Sequence, residues 1–378
     1  MATPVDSSVY YTGIFWNSYD EVIRHLNARA FGEMTGDWLG YVRSLRAAPY
    51  RRALSVNCGS GWVERAALEA DLVGSIVAID FLEDLLETAR QASVGLPIEF
   101  LQRDTNSADF PSGPFDLMIN HAAGHHITYL DRVFRRMREL ISEEGSLITW
   151  DYTGPHRNQY GSRTWAAANA INERLPKQFR SDMRYPHMRT MLAVDPTEAV
   201  HSELVIETMN RYFQPVHTRL LGGPIAYLVL THNQRLFDAP VEVRDDLVKM
   251  VIAADVAHID EFPEDNLFTF SIYEPKSADL LNPDDLARWT RAEEDREANA
   301  AVNGGRYYLP TAVEIATYFN LKDGAGAIDS VRNPTSFEVA SLGVGFASGA
   351  LARALLMPVP WLIAPIRRMR NLIRRKRA

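Results

Sequence analysis

Cysteine occurs once in 378 residues, at Cys58. That excludes an intramolecular disulfide and suits a reducing compartment. No cysteine and histidine spacing of the metal-ligating kind is visible along the chain, so no metal is expected. The opening Met1-Ala-Thr-Pro-Val-Asp6 lacks a basic region followed by an apolar core, which argues against a secretion signal. Long apolar runs are also missing. Residues 339–352 carry no charge, and 354–366 are apolar but broken by Pro358, Pro360 and Pro365. Neither reaches the ~20 residues of a spanning helix. The body of the protein is therefore expected in the cytoplasm.

Basic charge is scarce except at one end. The net charge is −8, yet residues 367–378 hold seven basic and no acidic side chains, leaving 33 basic against 48 acidic over the first 366. An acidic body argues against a nucleic-acid grip on the main domain. The basic run and the apolar residues before it read as an interfacial segment on an anionic membrane, which would place the protein on the inner membrane face. The alternative is a tail that covers its own domain or the partner in a homodimer. A hydrophobic content of 46% fits a globular chain with a large core.

The most informative stretch is Ala53-Leu-Ser-Val-Asn-Cys-Gly-Ser-Gly61. Its first four residues read as a short apolar strand, 57–61 as a turn of small residues, and 62–70 as a helix. A strand, glycine turn and helix N-terminus gather free backbone N–H groups and the positive end of a helix dipole. Ser75-Ile-Val-Ala-Ile-Asp80 follows as a second buried strand, with Asp80 at the end where ribose hydroxyls are held in doubly wound sheets. The third glycine of a dinucleotide fingerprint is missing, and Trp62 follows Gly61 directly.

This loop resembles motif I of class I S-adenosylmethionine (SAM) methyltransferases, acid-x-Gly-x-Gly-x-Gly. Here Ser55 stands at the acidic position and Asn57 at the first glycine. Asn tolerates left-handed backbone angles, so the turn survives that change. The carboxylate lost at Ser55 is the one that, in the family, helps hold the methionine end of the cofactor. The resemblance implies SAM contacts from Ser55, Asn57, Cys58, Gly59, Ser60, Gly61, Asp80, Phe81, Asp104, Thr105 and Asn120, with Asp104 facing the adenine. Cys58 reads as a small packing residue rather than a nucleophile.

The order downstream agrees with that family. Strands are expected at 98–104, 115–120 and 146–151, with a helix over 131–140 and a turn at Ser142-Glu-Glu-Gly145. The expected fold is α/β: a Rossmann-like class I methyltransferase fold, mostly parallel and doubly wound, ending in an antiparallel hairpin. A helical cap occupies 1–50 and the SAM-binding domain 51–275. A polar, partly helical extension covers 276–338, and the apolar and basic tail 339–378. In the cap, Trp16-Asn17 and Asn27-Ala-Arg29 resemble cofactor-covering patterns of related enzymes, or else simply pack.

After the fifth strand, Asp151-Tyr-Thr-Gly-Pro-His-Arg-Asn-Gln-Tyr160 resembles a segment of one poorly characterised branch of the family, often associated with glycan or cell-surface pathways. A helix is expected over 165–175, and another opening at Asp195-Pro-Thr-Glu198 as a capped N-terminus. The closing hairpin is expected from 216–221 and 225–231, followed by a helix near 241–260 and a strand at 267–273.

Methyl transfer to a hydroxyl needs an aligned acceptor and a group to take its proton. Candidate bases are His125, His126, Asp151 and His156, where strands four and five end; Arg157 is expected to be exposed. Tyr152, Asn158, Gln159 and Tyr160 would line a polar acceptor pocket. The reading is a SAM-dependent O-methyltransferase of a sugar, glycan or glycolipid. The alternatives are a small-molecule methyltransferase of secondary metabolism and, given Ser55, a non-catalytic SAM-fold scaffold.

Overall fold

Uniformly apolar strands belong in a parallel sheet covered on both faces. In the computed structural model of the protein, residues 53–56 and 76–80 are such strands, buried along their length. The structure describes residues 13–32, 36–186, 195, 197–284 and 286–287. Contacts divide the chain into Met1–Leu309 and Pro310–Ala378, and every described residue belongs to the first unit. The expectations for the tail at 339–378, and for most of the 276–338 extension, lie outside the described residues.

Seven strands form one sheet: β1 (Tyr50–Val56), β2 (Val73–Asp80), β3 (Ile98–Gln102), β4 (Phe115–His121), β5 (Ile141–Tyr152), β6 (Phe213–Gly222) and β7 (Phe268–Pro275). Their order is β3-β2-β1-β4-β5-β7-β6. The first five run parallel, β7 adds antiparallel to β5, and β6 adds antiparallel to β7. The order reverses between β1 and β4, and ligands of doubly wound sheets bind outside the carboxyl ends of the strands at that switch point.

Helices cover both faces. On one side lie α1 (Asp20–Phe31), α2 (Trp38–Ser44), α3 (Trp62–Glu69) and α4 (Glu83–Ala92), whose Leu26, Val42, Ala67 and Leu86 share a core with Ile76 and Phe270. The N-terminal helices thus pack into the same core as the sheet. On the other side, α5 (Leu130–Leu140) buries Val133, Phe134 and Met137 at helical spacing against Leu54 and Met118. Further helices are α6 (Ser162–Arg174), α7 (Val205–Tyr212), α8 (Ala226–Leu230), α9 (Gln234–Phe237) and α10 (Val241–Glu261). Among the described residues no helix is long and apolar enough to cross a membrane.

Three sequence expectations need correction. The closing hairpin is β6 with β7, not 216–221 with 225–231; residues 226–230 are helix α8. Buried Asp255 decides this, because its carboxylate accepts the N–H groups of Gly223, Ile225 and Ala226 and so caps a helix start. Second, Asp195 opens a turn, accepting from Thr197 N and Oγ1, and the helix begins only at Val205. Third, Ser142–Gly145 is not a separate turn but the irregular start of β5. Pairing with β4 jumps there, from Phe115 opposite Ile141 to Leu117 opposite Ser146.

Candidate active site

The glycine turn after β1 needs backbone angles that side chains resist. Asn57, Gly59 and Gly61 all have positive φ, at 50°, 55° and 72°, so Asn57 does occupy the left-handed region. At Gly61 a Cβ would sit 2.8 Å from the Phe100 ring, which excludes any larger residue without a shift. Asp80, at the end of β2, ties this loop down: Oδ2 accepts from Gly59 N and Oδ1 from Leu82 N, each at 2.8 Å. Burial pushes its pKa up, against the pull of those two N–H groups. Thr105 Oγ1 donates to Asn57 Oδ1 at 2.6 Å, and Asp104 accepts from Asn106 N, joining the β3 end to the same loop.

Ser55, at the position of the missing acid, has company. Its hydroxyl donates at 2.5 Å to Oε1 of Glu64, from the first turn of α3. Both residues are buried, and Glu64 Oε2 has no hydrogen-bond partner. Burial drives the Glu64 pKa up to about 7, with the Ser55 bond opposing it. The carboxylate that β1 lacks thus enters from the helix. Cys58 is buried and its thiol pushed well above the ordinary range by burial, so it packs rather than reacts.

Where β4 and β5 end, a second polar group forms. Asp151 is fully buried and its oxygens are saturated: Oδ2 accepts from Asn120 Nδ2 (2.8 Å) and Gly124 N (2.7 Å), and Oδ1 accepts from Tyr152 N (2.9 Å). The same Oδ1 lies 2.6 Å from Nδ1 of His125. Gly124 is required there, since a Cβ would meet Asp151 Oδ2 at 2.6 Å. Burial disfavours charge on His125, but the Asp151 carboxylate, with Glu198 and Asp195 behind it, lifts its pKa to about 9. His126 moves the other way, lowered by burial and by the charge on His125. Burial also brings His121 down to about 4.

The segment around 197–203 closes over these residues. Val200 N donates to His125 O, Arg157 N to Ala199 O, and Ser202 Oγ to Gly154 O. Glu198 Oε2 then stands 3.8 Å from Nε2 of both His125 and His126. His156 and His201 stack beside them with ring centroids 5.7 Å apart, and Glu203 Oε1 lies 3.9 Å from His156 Nδ1.

A family model described as a methyltransferase domain matches residues 54–149, the span from β1 to β5. An uncharacterized methyltransferase of Mycobacterium tuberculosis is 28% identical over 141 residues, covering 36% of this chain and 71% of that protein. Residues 54–149 thus carry a methyltransferase domain of the SAM-dependent kind. A malonyl-(acyl-carrier protein) O-methyltransferase of Anoxybacillus flavithermus is 23% identical over 181 residues, 46% of this chain and 64% of that protein. Among solved structures, a SAM-dependent methyltransferase of Mesorhizobium loti covers 62% of this chain and 95% of its own, at 17% identity and a TM-score of 0.39.

The methyltransferase's own residues fit SAM at the switch point. The left-handed loop at 57–61 and Asp80 meet at the ends of β1 and β2, with Phe81 45% exposed next to Asp80, while Glu64 Oε2 is buried beside Ser55 without a hydrogen-bond partner. Asn120, expected among the cofactor contacts, is fully buried, and its amide goes to Thr149 and Asp151 instead. Arg157, expected in solvent, is 1% exposed and donates to Glu198 O. Tyr152, Asn158, Gln159 and Tyr160 are all buried; Gln159 bonds the carbonyls of Arg157 and Pro186. Their side chains are packed in the interior. Sequence reasoning missed Glu64, Glu198, His201 and Glu203. For Glu64 a signal existed, an acidic residue in the first turn of the helix after an acid-less loop.

Proposed function

We propose that this methyltransferase O-methylates a hydroxyl of a polar acceptor, a sugar or glycan, over the carboxyl ends of β4 and β5. The observation that carries the reading is the His125–Asp151 pair. SAM, when bound, supplies an electrophilic methyl group. The chain has to hold the acceptor in line with it and draw off the hydroxyl proton. Asp151, saturated by Asn120, Gly124 and Tyr152, fixes the His125 ring so that Nε2 faces Glu198. An acceptor hydroxyl at His125 and Glu198 gives its proton to this group as its oxygen is alkylated, a step that needs His125 deprotonated and so gains as pH rises toward 9.

The chemistry of the surroundings supports a polyhydroxylated acceptor. His126, His156, His201, Glu198 and Glu203 offer imidazoles and carboxylates, directional partners that an apolar acceptor would leave unused. One similar protein is itself named for O-methylation. Glu64 supports the methionine end of SAM, in place of the acid missing at Ser55. The apolar and basic tail supports a place at an anionic membrane surface, where a lipid-linked glycan would be met. Labelled SAM incubated with fractionated cell extract tests the reading. Label in a saccharide or glycolipid fraction, stable to mild base as an ether, is expected; label in apolar small molecules alone would favour secondary metabolism.

A further inference from the structure

We propose that His125, His126 and Glu198 bind one divalent transition-metal ion of borderline softness, such as Zn2+, Co2+ or Fe2+. The three side chains offer donor atoms within 4.8 Å of one another. His125 Nε2 and His126 Nε2 each lie 3.8 Å from Glu198 Oε2. That is too long for a hydrogen bond. It is near the separation of about 3.4 Å between ligands that each sit ~2.0–2.1 Å from a tetrahedral ion, so small side-chain rotations complete the site.

The independent observation is what holds the other ring nitrogens. A metal-ligating histidine almost always gives its second ring N–H to a carboxylate or a backbone carbonyl, which fixes tautomer and orientation. Both histidines follow this rule. His125 Nδ1 is on Asp151 Oδ1 at 2.6 Å, and His126 Nδ1 is on Thr197 O and Oγ1, each at 3.2 Å. Both Nε2 atoms are thereby turned to one carboxylate. Asp151 is itself clamped by Asn120 and by the Gly124 and Tyr152 N–H groups, so the support extends a further layer outward. Two imidazoles and one carboxylate, with positions left open, are the donor set of borderline divalent metals.

No spacing along the chain announces this set, because Glu198 arrives from 72 residues beyond His126. An ion seated there would occupy the His125 Nε2 that the proposed reaction uses as base, so in the loaded protein the charge of the ion would acidify the acceptor hydroxyl in its stead. Metal binding is nevertheless read without turnover, so its failure and that of the proposed methyl transfer are separable.

The test uses the full chain, stripped with a chelator and titrated with Co2+ alone, followed by visible absorption and calorimetry. One ion per chain is expected, with the absorption bands of a nitrogen-ligated site. Glu198→Gln and His126→Ala should each weaken binding at least ~10-fold, and Asp151→Asn ~10–100-fold through loss of the support on His125. SAM affinity measured in each variant reports whether the fold is kept, and Thr197→Val gives a milder probe of the His126 support. His201→Ala, in the neighbouring His156–His201–Glu203 set, should leave Co2+ binding unchanged. Failure to bind Co2+ or Zn2+ at micromolar ion would overturn the proposal. So would affinity indifferent to Glu198→Gln, or loss of the bands in His201→Ala alone.

Discussion

The Ser55 hydroxyl and the Glu64 carboxylate meet at 2.5 Å beneath the glycine loop, both buried, with Glu64 Oε2 left open. The helix that follows the strand thus brings a carboxyl group to Ser55. Glu64→Gln should weaken SAM binding by ~1–3 kcal/mol, the scale for removing a buried charged partner. Calorimetry checks this. The exchange Ser55→Asp with Glu64→Ser should recover part of the loss, whereas affinity unchanged in Glu64→Gln would remove Glu64 from the cofactor site.

The same carboxyl group sets a pH dependence. Its pKa is about 7 in the fold, against an ordinary value of 4.5, so the folded state keeps the proton to higher pH than the unfolded state does. Its contribution to stability is therefore full below about pH 4.5 and lost as pH rises through 7. For the cofactor-free protein the loss should be on the order of 3 kcal/mol. Denaturant midpoints between pH 4.5 and 8 should fall more steeply for the wild type than for Glu64→Gln. Parallel curves would contradict the assignment.

Asp80 holds the Gly59 and Leu82 N–H groups and is the residue expected at the ribose. Asp80→Ala should weaken SAM binding by at least ~1–3 kcal/mol. Equal affinity in the variant would show that the loop and the cofactor do without it.

Turnover should depend on the group at the ends of β4 and β5. His125→Ala should lower the rate by the ~10²–10⁴ of a lost general base while SAM affinity stays within about twofold. His156→Ala, one residue set farther along, should cost less. Full activity in both, and in His126→Ala, would direct attention to Asp151 or to transfer without a base.

The tail should govern location. Each of the seven basic residues in 367–378 adds up to ~1 kcal/mol at an anionic leaflet, weakening with salt. Truncation after Pro334 should release the protein from anionic liposomes in flotation and leave SAM binding intact. Flotation that ignores the truncation would refute a membrane role for the tail.

The parallel half of the sheet was legible in the sequence because its information is local. Buried strands such as 53–56 and 76–80 are short apolar runs, and the turn at 57–61 is written in residues that accept positive φ. The succession of strands along the chain and the resemblance of the loop to a SAM motif followed from these. The closing strands were less legible: residues 226–230 have the apolar composition of a strand, and only Asp255, from a helix farther on, turns them into α8.

The active site needed tertiary structure more than the fold did. His125, His126 and Asp151 were readable as strand-end residues, but a carboxylate's role depends on what it faces. Only the contact with Ser55 singles out Glu64 as a candidate for the missing acid, and only the fold puts the Asn120 amide on Asp151. Glu198 sat in what read as a helix cap. The bonds from Val200 to His125 and from Arg157 to Ala199 fold its segment back over the strand ends and bring it to the histidines. Backbone hydrogen bonds between distant segments leave no pattern in the side chains around them, so sequence determined the parallel sheet and its glycine loop, and packing decided which side chains meet at the ends of β4 and β5.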